Sequence, residues 1–299
     1  MSLPPRAVLV HRRTELDELI ERHATRGQAA FFLSTRGRSI TDAEYRDRAI
    51  KSAIGAVSAA IPPDWRRGIV ERADLPRWSF DPGDIVVVVG QDGLVANVAR
   101  YLHGQPVIGI NPEPERNPGV LVPHAPGAAG HLLVAASDAG GGPDVEARVM
   151  VQATVDDGQV LMALNEIYIG QPTHQTARYT LTIPDGTAER QASSGVIVCS
   201  GTGATGWGRS TWLERHSPID LPAPTEGRLA WFVREAWPSP VTGVNCTEGV
   251  LARGQAVGLV AESDRLVAFG DGIESDSVPV SWGQRITITQ APATLRLVR

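Results

Sequence analysis

An uninterrupted run of aliphatic side chains from Ile85 to Val89 constrains the fold of this chain more than any other segment. A strand with one face in solvent alternates apolar and polar residues, whereas a run without alternation is typical of a strand buried on both faces of a parallel sheet. The segment 94–102 that follows keeps apolar residues at helical spacing, and residues 106–110 again resemble a strand. These segments predict a βαβ unit, and with it an α/β fold for the N-terminal part of the chain.

The sequence changes character after Asn111. A segment with five prolines covers residues 112–126, and residues 139–143 are rich in glycine. Short strand-like segments separated by turn residues then follow, at 149–155, 161–169, 179–183 and 196–200. We therefore expect an α/β domain with a parallel sheet over residues 1–111 and a β-rich domain over residues 112–285.

Composition and charge exclude several classes of protein. The 299 residues carry a formal net charge of −5, and no basic run is interleaved with aromatic residues, so we expect no nucleic-acid partner. The aliphatic run is far shorter than the roughly 20 residues that span a membrane, and the first residues lack the apolar core of a signal peptide. We therefore expect no membrane partner and a cytoplasmic location. Cys199 and Cys246 form no CxxC motif, which argues against a disulfide framework or a structural zinc site.

Lys51 is the only lysine in the sequence, and it follows Ile50 rather than a glycine. A Walker A loop ends in Gly-Lys-Ser or Gly-Lys-Thr, so phosphoryl transfer by a P-loop is excluded. The seven histidines show no HExxH or other close ligand spacing, and we predict no metal site made by the protein alone. The Gly-x-Ser-x-Gly motif of serine hydrolases is also absent from the sequence.

The first candidate site is the turn Gly90-Gln91-Asp92-Gly93, between the buried strand and the following helix. Loops at the carboxyl ends of parallel strands bind ligands, and the free N–H groups of a helix start attract anions. Gly90 and Gly93 would permit a positive φ and close approach of a phosphate, while Asp92 places a carboxylate beside it. An Asp-Gly turn is also common as a purely structural element, so the motif alone decides nothing.

The second candidate is the segment 201–206, GTGATG, which matches Gly-x-Gly-x-x-Gly after a strand. A dinucleotide-binding βαβ unit also needs a long helix and an acidic residue at the end of the next strand. Residues 207–216 are short and polar, which disfavours an NAD-dependent oxidoreductase. The hydroxyl groups of Thr202 and Thr205 and the exposed backbone N–H groups of the loop remain suited to a nucleotide base or sugar.

The third candidate is the adjacent pair Asn165 and Glu166, which we place inside the strand predicted at 161–169. Adjacent residues of a strand point to opposite faces, so one of these side chains is expected to face away from a shared site. An ordinary surface position for that side chain is as compatible with the sequence as a binding role.

In this order the motifs resemble the NAD kinase family, and most closely the divergent branch typified by the mitochondrial NAD kinase of animals. The family's GGDG loop resembles residues 90–93, and its following strand end, Gly-Ile/Val-Asn, resembles residues 109–111. The family's Asn-Glu motif is matched by residues 165–166. The branch's TGTGSKAW segment is similar to residues 200–207, and a late Asp-Gly pair resembles residues 271–272.

The resemblance implies an activity and a domain layout. It implies transfer of a phosphate from ATP, or from another phosphate donor, to the 2′-hydroxyl of the adenosine ribose of NAD, with Mg²⁺ as the cofactor that accompanies ATP. It also implies that residues 112–285 form the NAD-binding domain and that the C-terminal segment 286–299 returns to the first domain. A homodimer is implied in the same way.

The resemblance implies roles for single residues as well. Asp92 would be the catalytic carboxylate that orients the attacking hydroxyl or accepts its proton. Asn165 would bind the adenine or adjoining groups, Glu166 would accept a hydrogen bond from a ribose hydroxyl, and Arg148 is a looser candidate for a phosphate contact. The other nucleotide-binding residues that the resemblance implies are Gly90, Gly93, Asn111, Thr202, Gly203, Thr205, Trp207 and Ser210.

Two residues of the turn depart from the family pattern. Gln91 stands where the family has its second glycine, and Leu94 replaces a threonine. A side chain at position 91 occupies space where the family's backbone approaches ATP, so binding of the phosphate donor would be weakened, altered or lost. A non-catalytic NAD-binding relative is therefore an alternative. A related lipid kinase is a further alternative, although residues 165–166 and 201–206 are features of the NAD kinases.

Overall fold

The computed structural model describes residues 4–137 and 144–299, so the glycine-rich stretch 139–143 lies outside the described residues. The chain divides into two compact units, Met1–Glu146 with Arg296–Arg299, and Ala147–Leu295. The helices are α1 Glu15–His23, α2 Arg26–Ser34, α3 Ile40–Ala60, α4 Asp92–Ala99, α5 Ala129–Ser137 and α6 Trp207–Arg215. The strands of the first half are β1 Arg6–His11, β2 Arg66–Glu71, β3 Asp84–Val89, β4 Pro106–Ile110, β5 Val145–Val155, β6 Val160–Ala163, β7 Glu166–Gly170 and β8 Ala177–Thr182. Those that follow are β9 Ala188–Ser193, β10 Gly195–Cys199, β11 Leu229–Arg234, β12 Glu248–Leu251, β13 Ala256–Ala261, β14 Arg265–Gly270, β15 Val278–Ser281 and β16 Arg285–Val298.

The first unit is built on a parallel sheet in the order β2-β1-β3-β4. Every residue of β3 is buried, as the unbroken aliphatic run predicted. Alternate side chains of β1, β3 and β4 pack against α3 and α5 in one apolar cluster that includes Leu9, Val87, Ile108, Val57 and Leu133. Beyond β4, Arg296 and Leu297 at the end of β16 pair in parallel with Pro106 and Val107.

Local sequence signals fix the N-terminal helices. Thr14 and Asp17 stand at the spacing of a capping box, which predicts a helix start, and the structure shows Thr14 capping α1 in a capping box with Asp17. Thr41 and Glu44 have the same spacing and predict a second helix start at Thr41. This start is wrong by two positions, because the hydroxyl of Ser39 caps α3 and accepts the N–H of Thr41. The helix ends at Ala60, before the two prolines that cannot continue it.

The second unit is a sandwich of antiparallel strands. One sheet of six strands has the order β12-β11-β10-β7-β14-β15. The facing layer contains β16-β13-β8-β9 and the hairpin of β5 and β6. Alternate residues of both layers form one apolar core, which includes Val151, Ile167, Leu181, Trp231 and Leu259.

The predicted two-part layout, an α/β part followed by a β-rich part, is confirmed at this coarse level. The boundaries between the two units differ from the domain boundaries given above. Residues 112–146 belong to the first unit, because α5 packs on the apolar cluster of its sheet. At the other end only Arg296–Arg299 belong to the first unit, whereas residues 286–295 belong to the second because β16 pairs there with β13.

Among residues 4–137 and 144–299, none of the helices combines the length and the apolar character that a membrane span requires.

Candidate functional site

Asn165 lies at a bend between two strands of the second unit, and Glu166 is the first residue of the strand that follows the bend. The strand predicted at 161–169 is in fact two strands, β6 and β7, separated by a bend at Leu164 and Asn165. The prediction of one continuous strand through both residues is therefore wrong. We call Leu164–Glu166 the Asn165 corner.

The carboxylate of Asp271 holds this corner. Its Oδ2 accepts the backbone N–H of Leu164 at 3.0 Å, and its Oδ1 accepts that of Asn165 at 2.7 Å. The N–H of Asp271 in turn donates to the carbonyl of Glu166 at 3.0 Å. Asp271 itself adopts a left-handed conformation with φ of 53°, which Asp tolerates better than most residues with a side chain.

The loop after β10 holds the same corner from another side. The Ser200 hydroxyl donates to the carbonyl of Leu164 at 2.5 Å, and the Ser200 N–H donates to the carbonyl of Asn165 at 2.8 Å. Gly203 packs so closely on Asn165 that an added Cβ would lie 2.2 Å from its carbonyl oxygen. Only a glycine fits there, so the GTGATG segment supplies close packing of backbone on backbone.

Glu166 is the buried acid of the site. It is 8 % exposed, and its carboxyl group makes no hydrogen bond within the described residues. Loss of solvent and the neighbouring charge of Asp271 raise its pKa to about 7. Burial and Glu166 together raise the pKa of the adjacent Cys199 thiol to about 12, so that thiol is not a nucleophile at neutral pH.

The side chains of the remaining predicted residues in this unit differ in their exposure and in their hydrogen bonds. Asn165 is partly exposed, and its amide makes no hydrogen bond within the described part of the chain. Thr202 is buried, and its hydroxyl accepts a hydrogen bond from the guanidinium of Arg148, itself 2 % exposed, at 3.3 Å. Thr205 and Ser210 are exposed, and their hydroxyls donate to backbone carbonyls of their own turns.

Trp207 belongs to an aromatic cluster that the sequence did not predict. Its ring stacks on Tyr168 with a centroid distance of 5.6 Å, and Tyr168 contacts Phe269 at 5.0 Å. The guanidinium of Arg234 lies 5.5 Å from the centre of the Trp207 ring. Because residues two apart in a strand share a face, Tyr168 lies on the same face of β7 as Glu166.

Two glycines make room for the Tyr168 ring. A Cβ at Gly170 would lie 2.2 Å from the Tyr168 hydroxyl oxygen, and one at Gly195 would lie 2.7 Å from the ring. The hydroxyl donates to the carbonyl of Ser194 at 2.5 Å, which fixes the ring against the strands. The glycines are visible in the sequence, but their common purpose depends on strand register, which the sequence does not show.

The first unit contains the predicted turn at residues 90–93. The helix α4 begins at Asp92, so Gly93 is helical and does not adopt the positive φ that a glycine would permit there. Gly90 is nearly extended at φ of 159°, and its N–H donates to the carbonyl of Ile110 at 3.0 Å. Gln91 is exposed at the N-cap position and makes no capping hydrogen bond with its side chain.

The carboxylate of Asp92 binds three consecutive backbone N–H groups of the loop that follows β4. Oδ1 accepts from Leu121 at 2.7 Å and from Val122 at 3.2 Å, while Oδ2 accepts from Val120 at 2.9 Å. This arrangement ties the first turn of α4 to that loop. Each carboxylate oxygen can accept about two hydrogen bonds, so Oδ2 retains capacity for another donor.

Asn111 has a structural position at the end of β4. Its amide group donates to the carbonyl of Asn117 at 2.6 Å, and its Oδ1 accepts the N–H of Glu113 at 3.0 Å. Both ends of the buried side chain thus shape the loop 111–117. Its role in binding a nucleotide stays a prediction.

A magnesium ion would depend on the substrate for most of its ligands. Within residues 4–137 and 144–299, no group of three or more His, Cys, Asp or Glu side chains is placed to hold a metal ion. Mg²⁺ is commonly held by one or two carboxylates together with substrate phosphates and water, and Asp92 could supply one such carboxylate oxygen. The residues present fit an ion that arrives with ATP.

Comparisons with known proteins add no further identification. Neither the protein-family models nor the curated proteins compared with this chain gave a match.

Proposed function

We propose that the protein is an NAD kinase, which transfers the γ-phosphate of ATP, with Mg²⁺, to the 2′-hydroxyl of the adenosine ribose of NAD. The observation that carries the proposal is the meeting of three motifs at the Asn165 corner. Asn165 and Glu166, the loop that begins at Ser200, and Asp271 are far apart in the sequence yet share backbone hydrogen bonds. These are the segments, in the same order, whose sequences resemble the NAD kinases.

The proposal assigns recognition of the nucleoside to the second unit. The Asn165 amide is available for the edge of a base, because it has no partner within the described residues and is partly exposed. Glu166, with a pKa of about 7, is present in both protonation states near neutral pH. Its carboxyl group can therefore accept a hydrogen bond from a ribose hydroxyl or donate one.

Asp92 is assigned to the reacting hydroxyl. The 2′-oxygen forms a bond to the γ-phosphorus while the bond from that phosphorus to the bridging oxygen of ADP breaks, and the hydroxyl proton passes to the Asp92 carboxylate. Three backbone N–H groups fix the orientation of this carboxylate, which suits a group that must align a nucleophile. Mg²⁺ would neutralise the charge of the phosphates.

A second function, binding of NAD without catalysis, is favoured by Gln91. Its exposed side chain, which caps no helix N–H, occupies the second position of the turn, where the NAD kinases have a glycine. In this alternative the second unit recognises NAD, and the phosphate donor is excluded. The two functions share the nucleoside site and differ only in the transfer step.

The test is an assay of the full chain with NAD, ATP and Mg²⁺, in which NADP⁺ is detected with an NADP-specific dehydrogenase. We expect NADP⁺ from the wild type and at least about a hundredfold slower formation by Asp92→Asn, because that variant cannot accept the proton. Asp64→Asn, at an exposed position of the same unit, should keep the wild-type rate. Calorimetry with NAD should give similar affinities for all three proteins.

Each other outcome selects an alternative. NAD binding without NADP⁺ would support the non-catalytic function, and recovery of activity in Gln91→Gly would identify the glutamine as the cause. Equal activity of the wild type and Asp92→Asn would remove Asp92 from the mechanism. Absence of NAD binding would refute both functions.

A further inference from the structure

A pocket of about 330 Å³ lies in the second unit, beside the edge strand β9. Its walls come from β8, from β9 and from the loop 237–243, and they include Arg178, Arg190 and Trp237. The volume is at the lower end of what small-molecule sites occupy. None of the residues assigned above to the nucleotide lines this pocket.

The loop that forms one wall is held in a defined conformation. The N–H of Trp237 donates to the carbonyl of Ala192 at 2.7 Å, and that of Gly243 donates to the carbonyl of Arg190 at 2.9 Å. Within the loop the hydroxyls of Ser239 and Thr242 share a hydrogen bond of 2.7 Å. The pocket is therefore formed before any ligand binds, which lowers the entropic cost of binding.

The pocket carries an uncompensated positive charge. Arg190 is neutralised by Glu262, whose carboxylate lies 2.5 Å from its guanidinium. Within the described residues, the guanidinium of Arg178 has neither an ion pair nor a hydrogen bond. The register of β8 and β9 places Arg178 and Arg190 on one face as diagonal neighbours.

Trp237 supplies an aromatic surface next to this charge. Its side chain is 68 % exposed, so it contributes little to the core and has a ring face open to solvent. Exposed tryptophan costs solvation free energy, and tryptophan and arginine together are enriched where proteins bind ligands and partners. The hydroxyl groups of Ser239 and Thr242 add polar groups to the same wall.

We propose that this pocket binds a small molecule that carries a planar ring and an anionic group, either a phosphate or a carboxylate. The ring stacks on the indole of Trp237, and the anion pairs with the guanidinium of Arg178. The two contacts are non-equivalent, since the ring supplies apolar area while the anion supplies a charge-assisted hydrogen bond. A ligand with both groups therefore binds more tightly than one with either group alone.

Four probes separate these contributions: phenyl phosphate, benzoate, inorganic phosphate and benzyl alcohol. Binding to the full chain is followed by the NMR signal of the Trp237 indole N–H, which Trp237→Phe identifies. We expect phenyl phosphate or benzoate to shift this signal with a dissociation constant of about 1 mM or lower, and the other two probes to bind at least about tenfold more weakly. The better of the two anionic probes identifies phosphate or carboxylate as the preferred group.

Matched variants test the assignment to Arg178. Arg178→Gln should weaken the better probe at least about tenfold, and Arg178→Lys should restore part of the affinity. Arg265→Gln, at another exposed strand arginine that does not line the pocket, should bind like the wild type. No shift of the Trp237 signal at about 10 mM of either anionic probe would overturn the proposal, as would equal affinity of Arg178→Gln.

The result of the probe-binding experiments is independent of the result of the kinase assay. Arg178 and Trp237 take no part in the proposed transfer, so Arg178→Gln should keep the wild-type rate of NADP⁺ formation in the absence of a probe. If Arg178→Gln loses both probe binding and the NMR spectrum of a folded protein, Trp237→Leu is tested in its place. Undiminished binding of the probe to a folded Trp237→Leu variant, followed by the signals of neighbouring residues, would refute the ring contact.

Discussion

Asp271 holds the backbone of Asn165 across 106 positions of sequence, with a distance of 2.7 Å from its Oδ1 to the amide nitrogen. The second carboxylate oxygen accepts the N–H of Leu164 at 3.0 Å. A carboxylate that accepts two adjacent backbone N–H groups fixes the direction of the chain at that point. The position of Asn165 and Glu166 therefore depends on Asp271, which lies outside their own segment of the sequence.

We predict that Asp271→Ala lowers the free energy of unfolding by about 2 kcal/mol, because two partly buried backbone N–H groups lose their acceptor. The left-handed conformation at this position adds to the loss, since Ala tolerates it poorly. Asp271→Asn should lose less, because Asn accepts that conformation and keeps one oxygen. Urea unfolding measures the change, and Asp264→Ala, at an exposed turn, is the control. Equal stability of Asp271→Ala and the wild type would show that the corner does not need this carboxylate.

The raised pKa of Glu166 predicts a pH dependence of stability. Between its ordinary value of 4.5 and about 7 the folded state holds a proton that the unfolded state has lost. The free energy of unfolding therefore falls as pH rises through this range, by up to about 3 kcal/mol, and the loss is complete above pH 7.

Glu166→Gln removes this titration. The stability of the variant relative to the wild type should therefore increase from pH 4.5 to pH 7.5, and urea unfolding at several pH values measures the difference. Asp271→Asn should shift the wild-type dependence to lower pH, because the charge of Asp271 helps to raise the pKa of Glu166. A difference between wild type and Glu166→Gln that is constant with pH would contradict the raised pKa.

Gly195→Ala should destabilise the second unit by about 3 kcal/mol or more. An added Cβ would lie 2.6 Å from the carbonyl oxygen of Ile169 and 2.7 Å from the ring of Tyr168, and the residue has a φ of 125°. Gly186→Ala is a matched control, since its φ is 88° but nothing lies within 4 Å of the added carbon. Gly186→Ala should lower the free energy of unfolding by about 1 kcal/mol, so the difference between the two variants reports the steric overlap at Gly195. Thermal unfolding that ranks the two variants equally would show that the Tyr168 ring can move aside.

Asp92→Ala should lower the stability of the first unit by about 2 kcal/mol. Three backbone N–H groups of the loop 120–122 lose a shared acceptor, although the exposure of Val120 limits the cost at one of them. Hydrogen exchange of these three amides should accelerate in the variant and remain unchanged in Asp64→Ala. Protection that persists in Asp92→Ala would mean that the loop is held by other contacts.

The sequence predicted those elements whose signal is local. β3 was predicted from its aliphatic run, and α1 from the capping box of Thr14. The helix α2 was not predicted, because its apolar residues include the exposed Phe31. Apolar and polar residues are therefore not clearly separated onto two faces of this helix. The strand β11 lies in a segment for which no strand was predicted, although all but its last residue are buried.

The segments of the candidate site are visible in the sequence as motifs, but their arrangement in space is not. Nothing in the segment 161–169 marks a bend, and the apolar pattern on both sides of Asn165 favoured one continuous strand. The bend is stabilised by Asp271 and Ser200, which are contacts between distant residues. The stack of Tyr168 on Trp207 likewise depends on glycines from two strands whose register no local signal gives.

The last strand of the first unit's sheet comes from the other end of the chain. Arg296 and Leu297 pair with Pro106 and Val107, and Arg299 forms an ion pair with Glu146. During synthesis on the ribosome the residues up to 146 emerge long before residues 296–299, so the nascent sheet keeps an open edge at β4 until those residues have been made. A truncation that removes residues 296–299 would therefore act on the N-terminal unit, because it would leave the edge of β4 unpaired.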